Sequence, residues 1–315
     1  SLRMRHEAAT ILASGEVRGS VFDGVIEADV GSLSDLADWG FEGVTGSGRL
    51  RGDALVDWET DLRVDFDGVA SGRRLQIPGG LLLGGLRGPV KARLRDENWA
   101  AEGGFKGQRG EAGGAQVGSV FGVWEVDLPM ADGLTWSVDL EAADVTQEAV
   151  YLSSVQGAFQ GNEVGFRGIA ELGRVESGEL VFTEGKLQFS HNDEGQKVGL
   201  ELVDVDRELW ESKFLISDDF DLISVEKLVM VPDGGVWHLE APVEIVLLDE
   251  GLVLPATRLV DQGKASIQGE GSYLKEEWRG NLQLNEVPLR VLNSFVPQKG
   301  HQGLLNGNVE LVENE

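Results

Sequence analysis

The 315-residue chain contains no cysteine. That excludes disulfides, thiolate metal sites and cysteine nucleophiles, and fits either a reducing or an oxidising compartment. Proline is scarce, 8 residues against 44 glycines. The glycines follow no triplet period, and 41% hydrophobic content is enough to fold, so neither a collagen-like fibre nor a disordered chain fits. Long apolar runs are also missing: LLLGGL and VEIVLL are far too short to span a bilayer. The chain opens at Ser1 with no basic stretch leading into an apolar core. Membership of a cell envelope would therefore imply a segment cut from a longer chain.

Positive charge is the next deficit. Net charge is −27, and residues 1–115 hold 14 Lys+Arg against 18 Asp+Glu while residues 116–315 hold 13 against 36. Between Arg109 and Arg167 there is no basic residue. This argues against a phosphate-tracking nucleic-acid surface and against docking on an anionic membrane. The acidity serves either as a solvated outer face or as a binding surface for a basic partner.

What is present in quantity is alternation. TDLRVDF sets Leu62, Val64 and Phe66 on one face; SVFGVWEVDL sets Val120, Trp124, Val126 and Leu128; LTWSVDL sets Leu134, Trp136, Val138 and Leu140; and VWHLEAPVEIVL sets Trp237, Leu239, Ala241, Val243, Ile245 and Leu247. A period of two marks half-buried strands. Asp67-Gly68, Pro78-Gly79-Gly80, Asp132-Gly133, Asp233-Gly234-Gly235 and Glu250-Gly251 read as hairpin turns between them. The expectation is an all-β antiparallel meander of about two dozen strands at roughly 5–6 residues each, too many for a simple open sheet. With few helices to cover its apolar side, such a meander is expected to be elongated and curved, with that side concave.

A unit repeats 256 residues apart. Leu33, Leu36 and Trp39 superpose on Leu289, Leu292 and Phe295, and Gly48, Leu50, Gly52, Ala54 and Val56 on Gly303, Leu305, Gly307, Val309 and Leu311. Helical spacing followed by strand spacing describes a short amphipathic helix, a polar turn and a strand, near 29–58 and 285–312. The strand half recurs alone at Gly84–Leu94 and begins again at Gly157. Helices are expected at 32–39, 144–155 and 286–296, each too short and too few for parallel β/α winding. No Pro/Ser linker breaks the chain, so residues 1–315 read as one elongated repetitive segment.

Catalytic patterns are absent. No G-x-S-x-G elbow occurs, and His6, His191, His238 and His301 lie outside any HExxH or H-x-H spacing and read as surface or edge residues. Asp218, Asp219 and Asp221 lack the glycine and closing glutamate of a calcium loop, and Asp204 and Asp206 read as solvated residues alternating on a strand. The sequence points to no enzyme, no metal and no cofactor. Trp124, Trp136 and Trp237 are in phase with the apolar faces, as β core or as a surface wetted by acyl chains.

The unit VPLRVLNSFVPQKGHQGLLNGNVEL, with its L-x-x-L stretch, polar turn and G-x-L-x-G-x-V strand, resembles the repeats of the TamB family and the wider AsmA-like group of bacterial envelope proteins. LRGDALVDWETDLRVDFDGVA and GEGSYLKEEWRGNLQLNEVPL are similar in style. The likeness is strongest at 263–312 and 29–94 and covers under half of the chain closely. It implies a β-sheet folded into an open gutter, the β-taco, with an apolar interior. It further implies a periplasmic middle segment of an inner-membrane-anchored protein, an outer-membrane TamA-like barrel as partner through regions outside this segment, and phospholipid acyl chains as cargo. The in-phase residues expected to line such a groove are Leu50, Val56, Leu62, Val64, Phe66, Trp136, Val138, Phe166, Leu187, Phe189, Leu239, Val243, Ile245, Leu282, Leu284, Leu305 and Val309. Leu33, Leu36 and Trp39, and likewise Leu289, Leu292 and Phe295, are expected to press a helix against it. The rival expectation is a β-scaffold filled by its own side chains, structural or chaperone-like, that assists outer-membrane protein assembly or secretion.

Overall fold

In the computed structural model the described residues are 2–5, 9–34, 45–77, 81–96, 98–112, 114–129, 133–178, 180–192, 195–232, 235–274, 277–294 and 302–312. Among them are 22 strands and no α-helix, and every pairing is antiparallel. The chain divides into two compact units, Ser1–Glu163 and Val164–Glu315. The boundary carries no linker composition that the sequence could have signalled.

In the first unit each strand pairs with its successor: β1 (Leu2–Arg5), β2 (Ala9–Arg18), β3 (Val21–Val30), β4 (Thr45–Asp57), β5 (Arg63–Ile77), β6 (Leu81–Arg95), β7 (Asn98–Ala112), β8 (Ala115–Leu128), β9 (Thr135–Gln147) and β10 (Val150–Asn162). The middle strands reach 15 residues, far longer than the expected 5–6. One reason is that Asp67-Gly68, expected as a turn, lies inside β5, where Gly68 pairs with Gly52 of β4. A Cβ on Gly68 would stand 2.4 Å from the Arg51 carbonyl oxygen, and one on Gly52 2.3 Å from that of Asp67. The two glycines therefore permit a close approach of backbones rather than a reversal.

The ladders of β5 to β10 share an interruption at one level. Arg74 and Gly84, Arg109 and Gly118, and Asp144 and Ser153 are skipped in otherwise unbroken registers. Arg74, Arg109 and Asp144 have φ of 50°, 56° and 55°. A left-handed residue inserted in a strand rotates everything beyond it by one position. Apolar residues thus face the same side across the line: Leu86 on one side and Leu83 on the other, Ala142 and Val145, Leu152 and Val155. Spacing of three across such a slip imitates a helical period, which is why 144–155 reads as a helix although it forms the β9–β10 hairpin.

The second unit runs β11 (Phe166–Leu172), β12 (Val175–Ser177), β13 (Leu180–Asn192), β14 (Gly195–Asp204), β15 (Leu209–Ile216), β16 (Leu222–Met230), β17 (Trp237–Leu239), β18 (Val243–Leu248), β19 (Gly251–Asp261), β20 (Ser266–Leu274), β21 (Glu277–Pro288) and β22 (Leu304–Val312). β11 and β12 lie end to end against β13, and β17 and β18 end to end between β16 and β19. Pro242 falls in the second break, where a ladder donor is missing. Asp204 closes β14 as a turn cap instead of alternating on the strand: its carboxylate accepts the Asp206 and Glu208 amides at 2.8 and 2.9 Å.

The helix expected at 286–296 is a 3₁₀ turn, Leu289–Ser294. β21 runs on to Pro288 because Glu286, at φ 49°, repeats the left-handed slip between Leu284 and Val287. Its amide donates to Asn306 Oδ1 at 2.7 Å. Of the helix expected at 32–39, Leu33 and Ser34 form a 3₁₀ turn; Leu36 and Trp39, like Phe295, lie outside the described residues.

Candidate functional site

In a ladder, directly paired residues share a face, so the registers sort every strand residue to one side or the other. In the first unit one side is apolar in every row but the outermost, where Gln147 pairs with Val150. One row reads Ala13, Ile26, Gly52, Gly68, Val90, Gly103, Trp124, Val138, Phe159 across β2 to β10. The next reads Gly15, Gly24, Ala54, Phe66, Ala92, Ala101, Val126, Trp136, Gly161. Leu50, Val56 and Val64 stand in the flanking rows, and beyond the slip line Leu75, Leu83, Gly110, Val117, Val145 and Leu152 continue the same face. No polar side chain interrupts these rows. The reverse side is charged, as in Asp29, Arg49, Ser71, Arg87, Lys106, Phe121, Glu141.

A face of this size in a packed domain would be buried, yet in this unit only Ala54, Leu83 and Leu94 among its larger side chains fall below 9% exposure. Trp99 is 47% exposed and Leu128 45%, while Trp124, Val126, Trp136, Val138 and Phe159 are half-buried. The chain as a whole presents 19974 Å² of surface, against about 15,000 Å² from the scaling for two compact globular units of half the mass each. Leu33 reaches this face from its 3₁₀ turn: its Cδ2 would lie 3.9 Å from a Cβ on Gly48.

The second unit carries the same kind of face. Gly168, Phe189, Val198, Phe214, Val225 and Val243 form one row, and Ala170, Leu187, Leu200, Ser212 and Leu228 another. Phe166, His191, Gln196, Ile216, Ile223 and Ile245 form a third. Leu239, Leu259, Ile267, Leu284 and Gly307 form a fourth, with Leu282 and Val309 paired beside it and Leu305 opposite Val287. Part of this face is filled. Trp237 is 2% exposed and packs with Ala265, Val287 and Val291 over Leu259, Ile267 and Leu284. Val291, supplied by the 3₁₀ turn, makes the cover. Of the three residues the sequence assigned to that task, the Leu292 side chain and Phe295 lie outside the described residues, and Leu289 ties its amide to the Gly303 carbonyl oxygen at 2.9 Å.

Every strand residue expected to line a groove lies on the apolar face of its unit. Leu62 is the exception: it precedes β5 and is 52% exposed in the connection. Sequence reasoning missed Ile26, Val90, Val198, Phe214 and Ile223, whose alternation was present but whose register was not. His191, expected as a surface or edge residue, has a side chain 34% exposed near the end of β13; it stands on the apolar face, its ring centroid 5.6 Å from that of Phe166, with Nδ1 3.7 Å from Asp218 Oδ1. His238 faces the charged side, as its alternation implies, and pairs with Val229 and Val260.

On the charged side Glu211 accepts from Lys227 Nζ at 2.5 Å and lies 3.5 Å from Lys213. The Lys227 hydrogen bond, with the charges of both lysines and the Lys213 hydrogen bond, outweighs the opposing cost of burial and holds its carboxyl below the usual range. Among the described residues no group of three or more His, Asp or Glu could hold a metal ion, and no helix is long and apolar enough to cross a membrane. No family model, curated protein or solved structure matches the chain.

Proposed function

We propose that the apolar face of each unit lines an open groove of the β-taco kind, and that the chain is a periplasmic segment of a TamB-like, AsmA-like protein that shields phospholipid acyl chains moving between inner and outer membranes. The observation that carries the reading is the uninterrupted apolar surface of β2 to β10, left half-exposed in an otherwise acidic chain. Tails laid on it would gain about 0.8 kcal/mol per buried CH₂ while head groups stay in water. Transfer is then diffusion along a surface without covalent chemistry, and the outer-membrane barrel partner binds elsewhere in the longer protein.

Gentle purification followed by organic extraction and mass spectrometry tests this. The expected result is co-purifying phospholipid, lost in Val138→Asp while the β-sheet circular dichroism is unchanged. Delipidated wild type with the same stability as the lipid-bearing preparation contradicts it. The filled cluster at Trp237 favours a second reading, a self-packed β-scaffold that assists outer-membrane protein assembly; that reading requires Val138→Asp to unfold the first unit.

A further inference from the structure

The charged side of the first unit holds a cluster that the apolar face does not explain. Arg49, Arg87 and Lys106 sit in one cross-strand row with Ser71 between them, on strands β4 to β7. Arg51, Arg73 and Arg109 complete the lining of a trough of about 1350 Å³. Adjacent strands stand about 4.8 Å apart, so these cations are close neighbours. Arg49 is ion-paired with Glu27 and Asp29. Among the described residues Arg51, Arg73, Arg87, Lys106 and Arg109 make no ion pair or side-chain hydrogen bond, although carboxylates outnumber cations 54 to 27 in the chain. The trough offers those five cations only Asp53 and Asp67.

We infer that this trough binds a soluble ligand carrying two or three phosphate groups. Its five free cations against two carboxylates leave an excess of three positive charges. Two phosphates at about −1.5 to −2 each neutralise that excess. Arginine forks match phosphate oxygens bidentately, and Ser71 and Gln108 add neutral hydrogen-bonding groups. The inference is independent of what the apolar face carries, because the two sites lie on opposite sides of the sheet.

Titration calorimetry with inorganic tripolyphosphate tests it, on the intact chain and on the double variant Arg87→Glu/Lys106→Glu. Binding is expected to weaken at least tenfold in that variant and steeply with salt, and to be unchanged in Arg63→Glu, which lies at the opposite end of β5. Circular dichroism confirms that both variants fold. No binding, or equal binding by the double variant, overturns the inference. So does poly-glutamate of matched charge binding as tightly, which would assign the trough to an acidic protein. Vesicles of phosphatidylcholine with 30% phosphatidylglycerol separate the sources of phosphate: tighter binding to them than to tripolyphosphate overturns the soluble ligand.

Discussion

Arg74, Arg109, Asp144 and Glu286 show how single residues keep this architecture apolar on one side. Each is a charged residue in a left-handed conformation inside a strand, costing about 1–2 kcal/mol. Each lets an apolar residue three places from the last one return to the same face. Among the described residues Arg74 makes no side-chain bond, so Arg74→Gly should stabilise the protein by about 0.5 kcal/mol, the left-handed relief less the glycine entropy. Arg74→Val should destabilise it, and paired urea titrations read both signs. Glu211 supplies a pH test. Its carboxyl is depressed in the folded state by Lys227 and Lys213, so its contribution is complete above the unfolded value, near pH 4.3, and is lost as pH falls through the folded one. Glu211→Gln should therefore flatten the decline in stability below about pH 4.5, seen as melting temperature against pH; a parallel curve would remove the pair from the account.

At the level of elements, the strands were legible and their ladders were not. Alternation in LTWSVDL or VWHLEAPVEIVL announces a strand without its partner, and partner choice decides whether Phe66 meets Ala54 and Ala92 or something else. The same limitation hid the cross-strand slip in the first unit: in one strand, Ala142 and Val145 look like a helix face, and only six strands side by side expose the common interruption. Leu33, an expected contact, and Val291, an unexpected one, do lie against apolar faces, but from 3₁₀ turns instead of helices. Gly68 argues the strand reading directly. With backbone 2.4 Å from its virtual Cβ, Gly68→Ala should cost about 1–3 kcal/mol by overpacking, whereas a turn glycine free of contacts would lose far less. Trp237→Ala, in the filled cluster, should cost about 3–5 kcal/mol, and chemical denaturation monitored by circular dichroism compares the two.

For the whole molecule, the two sides of the sheet carry different messages. The acidic excess lies mostly in residues 116–315, and five cations without an ion pair among the described residues sit together on β4 to β7. The apolar sides are half-exposed in the first unit and partly filled in the second. Composition foretold the acidity, a sum over residues, and period-two alternation foretold the all-β fold, a property of each strand by itself. It could not foretell the division at Glu163 and Val164, which depends on contacts between strands. The central claim is that acyl chains can reach the half-exposed face and cannot reach the filled cluster. The most direct measurement is fluorescence quenching by brominated phospholipid in two single-tryptophan variants, one retaining Trp124 and the other Trp237, each shown by circular dichroism to be folded. Strong quenching of Trp124 with little of Trp237 is the result this structure predicts; equal protection of both, in folded protein with lipid in excess, would contradict it.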